Sequence, residues 1–299
     1  MVGHLSRRML AEAIGTMLLI VFGPGSVVAA LLVGGGRLDY AGVGVIALSF
    51  AVIVAVVIYA FGSTSGAHIN PAVTVSLAVG RRFPWREVPF YIAAQLAGAV
   101  VGGLLIVGIF GRRATELGGV GLTALAPGVG YGQGILVEAL GTFLLLLTIM
   151  ALAVDRRAPQ GWAGLMIGLA VAGEVFVLGP LTGGAINPAR TFGPYVANDL
   201  FGGDTPWWQS GVYVIGPVVG GAVAVVLYDL VTRPVGEVPA TAEQGTAGEI
   251  TGESLPRPRT ERPGAEPAAG PAGRPPGDVR PGSSGGAIHP ARGGDHTNT

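Results

Sequence analysis

SGAHINPAVT, residues 65–74, and TGGAINPARTFGP, residues 182–194, carry the same Ile-Asn-Pro-Ala core at an offset of 117 residues. Asparagine is a favoured helix N-cap and proline a favoured first helical residue. Asn70-Pro71-Ala72 and Asn187-Pro188-Ala189 therefore read as the starts of two helices. The helix-compatible stretches, 66–79 and 183–197, are too short to cross a bilayer, which takes about 20 apolar residues.

Working outward, the flanking sequence repeats as well. LAEAIGTMLLI (10–20) matches LVEALGTFLLL (136–146), with Glu12 opposite Glu138. YIAAQLAGAVVGG (91–103) matches YVIGPVVGGAVAV (213–225) more loosely. Six apolar runs have spanning length: about 9–33, 42–62, 88–110, 132–154, 162–180 and 208–231. The first is read as a retained span rather than a signal peptide, because it is long and carries Glu12. The repeat halves are about 7–110 and 132–232. Each holds three spans, and an odd number inserts the second copy upside down. Inverted repeats place the functional site near the bilayer midplane, where broken helices meet. The expected fold is all-α: six transmembrane helices plus two re-entrant half-helices in an inverted repeat.

Composition agrees. Half of the 299 residues are hydrophobic, 12% are charged, and mean hydropathy is +0.58. Soluble domains carry about 25% charge. The net charge of zero leaves no basic footprint for nucleic acid. With no cysteine, thiolate chemistry and disulfides are excluded. Residues 233–299 hold 15 of the 36 charged side chains, 11 prolines and 13 glycines, and read as a disordered cytoplasmic tail. Arginine bias sets orientation. With both termini inside, the inner segments hold Arg7, Arg8, Arg81, Arg82, Arg86, Arg156, Arg157 and Arg233, against Arg37, Arg112 and Arg113 outside. The chain reads as a multi-pass protein of the cell membrane.

Two re-entrant loops meeting at mid-depth imply a pore, since irregular backbone there must be buried or line a wet cavity. Both half-helix N-termini point at the centre, each worth about half a positive charge, and so repel cations. Each asparagine oxygen is used in capping, which leaves the NH2 as a donor to a passing water. The carbonyls of Gly66, Ala67, His68, Gly183, Gly184 and Ala185 offer acceptors ahead of each half-helix. An intramembrane charge such as Arg190 is functional by default.

These residues resemble the aquaporins, the major intrinsic protein family, over residues 7–232. The resemblance implies a passive water channel that excludes protons and ions, a homotetramer with a pore in each protomer, no cofactor and no enzymatic role. Water is the expected permeant, with glycerol or other small neutral solutes as the alternative. It also implies a selectivity filter of Phe50, Val175, Gly184 and Arg190. Water-selective members carry histidine where Val175 stands, so the filter here loses a polar donor and widens. Glycerol facilitators place aspartate after the arginine, where this chain has Thr191. The filter pattern is most similar to archaeal-type aquaporins. Glu12 and Glu138 are the matching loop supports, and His68 matches a loop histidine of the inner vestibule.

Gly98, Gly102, Gly216 and Gly220 form small-residue pairs that let helices cross closely. Arg81-Arg82 and Arg156-Arg157 read as topology determinants. Glu174, beside Val175, has no partner legible in sequence. A secondary transporter would need titratable groups at the midplane, and an intramembrane enzyme would need a nucleophile with its base. Neither pattern is present in the sequence.

Overall fold

The structure, a computed structural model, describes residues 2–232. The expected tail, 233–299, lies outside them. Among the described residues there are helices and turns but no strands. Six helical stretches are long and apolar enough to cross a membrane: His4–Val33, Tyr40–Ser65, Trp85–Phe110, Tyr131–Val154, Ala163–Thr182 and Trp207–Thr232.

In chain order the helices are α1 (Val2–Phe22), α2 (Pro24–Val33), α3 (Tyr40–Ser65), α4 (Pro71–Val79) and α5 (Val88–Phe110). Then follow α6 (Arg113–Glu116), α7 (Tyr131–Ile149), α8 (Ala163–Thr182), α9 (Pro188–Leu200) and α10 (Val212–Thr232). The first expected span is thus two helices, broken at Gly23-Pro24, where proline cannot continue the hydrogen-bond ladder. The seam has a use. A Cβ on Gly23 would stand 2.5 Å from the Phe50 ring, so only glycine lets Phe50 seat there. A π-helical turn, Met150–Val154, extends α7.

The half-helices are α4 and α9. Each is entered the same way. Gly66 closes α3 at φ +90° and Gly183 closes α8 at φ +84°, and each donates its N–H to the carbonyl four residues back, at 2.9 Å. Asn70 Oδ1 then accepts from Ala72 N at 2.8 Å, and Asn187 Oδ1 accepts from Ala189 N at 2.9 Å and Arg190 N at 3.3 Å.

Packing follows the repeat. In the first half α5 lies on α1, and in the second α10 lies on α7. A Cβ on Gly98 would stand 2.1 Å from the carbonyl oxygen of Ala13, and one on Gly220 1.9 Å from that of Ala139. The small residues are there because backbone meets backbone. Across the two halves α3 packs on α8, and α5 on α9. The outward faces carry exposed Leu48, Val52, Val56, Leu136, Leu140 and Val223, a surface suited to hydrocarbon and not to water.

Candidate functional site

The two loops before α4 and α9 carry strained backbone. Ala67, Ile69 and Ile186 have φ of +46°, +43° and +47°. Such residues cost about 1–3 kcal/mol each and persist only where surroundings hold them. Glutamates do the holding. Glu12 accepts from Ser65 Oγ (2.6 Å), His68 N (2.9 Å), Ile69 N (2.7 Å) and Gln95 Nε2 (2.8 Å). Glu138 accepts from Thr182 Oγ1 (2.6 Å), Ala185 N (3.0 Å) and Ile186 N (2.6 Å). A hydrogen bond to a charged group contributes about 1.5–3 kcal/mol, the same scale as the strain, so each glutamate offsets the distortion of its own loop. Tyr91 Oη on the Ser65 carbonyl (2.8 Å) and Tyr213 Oη on that of Thr182 (2.9 Å) complete the matching frames.

This arrangement aims the carbonyls. In a trans peptide the N–H and the preceding C=O point in opposite directions. The N–H groups of His68 and Ile69 turn to Glu12, so the carbonyls of Ala67 and His68 turn away from it. The N–H groups of Ala185 and Ile186 turn to Glu138, so the carbonyls of Gly184 and Ala185 turn away as well. Ser65 and Thr182 hydroxyls take the N–H of Ala67 and Gly184, which turns the Gly66 and Gly183 carbonyls likewise.

The side away from the glutamates is a cavity of about 270 Å³. Phe50, Gly66, Ala67, His68, Asn70, Gly184, Ala185, Asn187 and Arg190 line it, with an apolar wall that includes Leu19, Val54, Leu145, Ile167 and Val171. At its waist the loops are stitched together. Asn70 Nδ2 donates to the Ile186 carbonyl and Asn187 Nδ2 to the Ile69 carbonyl, both at 2.9 Å. One of the two N–H groups of each asparagine is thereby spent on the opposite loop, which sequence reasoning did not foresee. The other remains for the lumen. Pro71, Ala72, Pro188 and Ala189 are not among the groups lining this cavity; they form the first turns of the half-helices, with Pro188 half-buried and the other three buried.

The sequence profile described as Major intrinsic protein matches residues 3–228. The chain belongs to the major intrinsic protein family. It is 47% identical over 245 residues to the "Probable aquaporin AqpM" of Archaeoglobus fulgidus, covering 77% of this chain and 98% of that protein. It is 45% identical over 244 residues to the "Aquaporin AqpM" of Methanothermobacter marburgensis, covering 76% and 98%. The solved aquaglyceroporin of Plasmodium falciparum superposes with a TM-score of 0.70 at 25% identity, covering 77% of this chain and 98% of that one.

The four positions that the major intrinsic protein resemblance marks as a filter lie near one another. Phe50, Gly184 and Arg190 line the cavity. Val175 is buried, and its Cα stands 3.7 Å from where a Cβ on Gly184 would be. That contact sets the Val175 backbone against Gly184, next to the end of the cavity that Phe50 and Arg190 line. Arg190 is 3% exposed, donates Nη1 to the Gly121 carbonyl at 2.8 Å, and lies 5.3 Å over the Phe50 ring. Gly121 belongs to the segment joining the two halves, to which sequence reasoning gave no role. Its φ of +72° and the Pro24 carbonyl, 2.2 Å from a Cβ there, both require glycine. The run GGVG, 118–121, was the available signal.

His68 stacks edge-on against Phe83 (4.8 Å) and lies 5.3 Å from the Tyr91 ring, with Nδ1 3.2 Å from Thr74 Oγ1. Arg82, expected as a topology determinant, also lines one end of the cavity and pairs with Asp229 at 2.8 and 2.5 Å. Gln95, bonded to both Glu12 and Thr74 Oγ1, went unnoticed, because the repeat places Pro217 opposite it.

Proposed function

We propose that the chain is a passive, bidirectional channel for water that excludes protons and ions. The observation that carries this reading is the reciprocal pair Asn70–Ile186 and Asn187–Ile69. It fixes two half-helix N-termini face to face, with one amide N–H of each asparagine left for the lumen. A water at the waist offers its oxygen to these donors and cannot pass a proton along an unbroken chain. The two helix ends add about one positive charge between them and repel cations. Away from the waist the carbonyls turned from Glu12 and Glu138 supply acceptors along a mostly apolar wall. Flux is driven by osmotic or chemical gradient, without cofactor or catalysis.

A second reading, a facilitator of glycerol or other small neutral solutes, is favoured by the filter itself. Gly184 adds no side chain to the lumen, and the likeness to a solved aquaglyceroporin points the same way. We assign Phe50, Val175, Gly184 and Arg190 to the constriction, with the side chain at position 175 setting its width. Arginine bias supports cytoplasmic termini and a place in the cell membrane. The family resemblance supports a homotetramer.

The test is stopped-flow light scattering on proteoliposomes, under a sucrose shock for water and a glycerol gradient for solute. Water flux well above empty vesicles, with little glycerol flux, is the expected result for wild type. Val175→His is expected to cut any residual glycerol flux by about tenfold or more, the scale of one misfit group in a snug site, while water still passes. Fast glycerol flux in wild type would move the assignment to a mixed facilitator. No flux of either kind would end the open-channel reading.

A further inference from the structure

One buried ionisable group takes no part in the machinery above. Glu174 on α8 is 2% exposed, and neither of its carboxyl oxygens has a hydrogen-bond partner.

The inverted repeat identifies the place it fills. In the first half, a Cβ on Gly15 of α1 would meet Ile69 Cγ2 at 2.8 Å, Val57 Cγ1 at 2.9 Å and Phe61 Cδ2 at 3.7 Å. In the second half, a Cβ on Gly141 of α7 would meet Ile186 Cγ2 at 2.7 Å, Leu178 Cδ1 at 2.9 Å and Glu174 Cγ at 3.8 Å. Ile69 and Ile186, Phe61 and Leu178, and Val57 and Glu174 are each 117 residues apart, the offset of the Asn-Pro-Ala boxes. Glu174 therefore stands where the first half has valine.

An unpaired carboxylate is the costliest form for this site. The groups around it offer no countercharge. On α7 the ionisable neighbour is Glu138, itself a carboxyl, whose oxygens are spent on Thr182, Ala185 and Ile186. The Leu145 N–H of α7 belongs to the helix ladder. On α3, the other helix against α8, the ionisable groups are Tyr40 and Tyr59, and Tyr59 is engaged with Gly161 and Leu165. Arg190 is turned to Gly121.

The site adjoins the filter. Gly184 rests on the α8 backbone: a Cβ on it would stand 3.5 Å from Gly179 N and 3.7 Å from Val175 Cα. Glu174 is the residue before Val175, wedged between that backbone and α7. We propose that Glu174 is a positioning residue of the filter, seating α8 against α7 only as a neutral carboxylic acid. Loss of its proton then shifts the wall behind Gly184 and changes which solutes pass. The proposal rests on the filter reading above.

The test uses the full chain in proteoliposomes, with equal pH on both sides, from mildly acidic to alkaline. Glu174→Gln keeps the shape without the acid, and Glu174→Val installs the residue of the first half in case glutamine folds poorly. Infrared spectroscopy reads the protonated-carboxyl C=O stretch, and stopped-flow reads the glycerol-to-water flux ratio. The expected result is a C=O band present in wild type and absent from both variants. The wild-type ratio is expected to change by about fivefold or more as pH rises, the lower end of ordinary site-to-site coupling, with both variants flat. A band that survives in both variants overturns the proposal, as does a wild-type pH profile that superimposes on theirs. A wild type that passes nothing above empty vesicles fails the channel reading and the proposal with it, an outcome distinguishable from the other two.

Discussion

Asn70 and Asn187 each divide their side-chain hydrogen-bonding groups among three directions. The oxygen caps its own half-helix, one N–H reaches the opposite loop, and the other is left for the lumen. The capping was legible from the Asn-Pro order, because it is a local rule. The cross-loop bond was not, because its acceptors, Ile69 and Ile186, lie 118 and 116 residues from the donors. Arg190 repeats the lesson. Its place after the second box flagged it, but its anchor is a carbonyl of Gly121, 69 residues away. Gly121→Ala is expected to destabilise the protein by about 1–3 kcal/mol, from a strained φ and a clash with the Pro24 carbonyl. It should also loosen the hold on Arg190. A lowered thermal midpoint with a raised glycerol-to-water ratio in proteoliposomes would bear this out, and an unchanged ratio would remove Gly121 from the filter.

At the scale of elements, the molecule is two copies of one assembly. A glutamate on the first helix of each half restrains a loop that the second helix feeds into a half-helix. A tyrosine on the third helix fixes the start of that loop. The copies differ where the sequence repeat is weakest: Gln95 against Pro217, and Val57 against Glu174. These departures are single residues inside otherwise equivalent packing, so periodicity alone does not mark them. The helix contacts themselves are strict. Gly220 faces the Ala139 carbonyl so closely that no side chain fits, and α10 must ride directly on α7. Gly220→Leu is expected to separate these helices and prevent folding, read as aggregation on size-exclusion chromatography in detergent. Gly108, with nothing within 4 Å of a Cβ, is the control position. Leucine there should be tolerated, and equal behaviour of the two variants would sink the close-packing account.

At the scale of the whole molecule, the described residues form one channel unit that the family match spans almost completely, over 3–228. The part of the chain beyond it is polar and rich in proline and glycine. A truncation after Thr232 is expected to leave water permeability per protein unchanged in proteoliposomes, and a large loss would give the C-terminal segment a role in conduction.

Sequence by itself determined the six apolar spans, the inverted repeat, the two half-helix starts and the family. Each follows from length, local capping preference or internal similarity, properties that need no knowledge of which segments touch. Only the tertiary structure decided how the site is held and what its wall is made of. It showed the asparagines bonded across the waist, Gly121 under Arg190, the Val175 backbone against Gly184, and Glu174 buried without a partner. Those depend on contacts between residues far apart in the chain. A hydrogen bond or a close packing contact is set by position in space, and the linear pattern records only that each residue is polar, small or apolar.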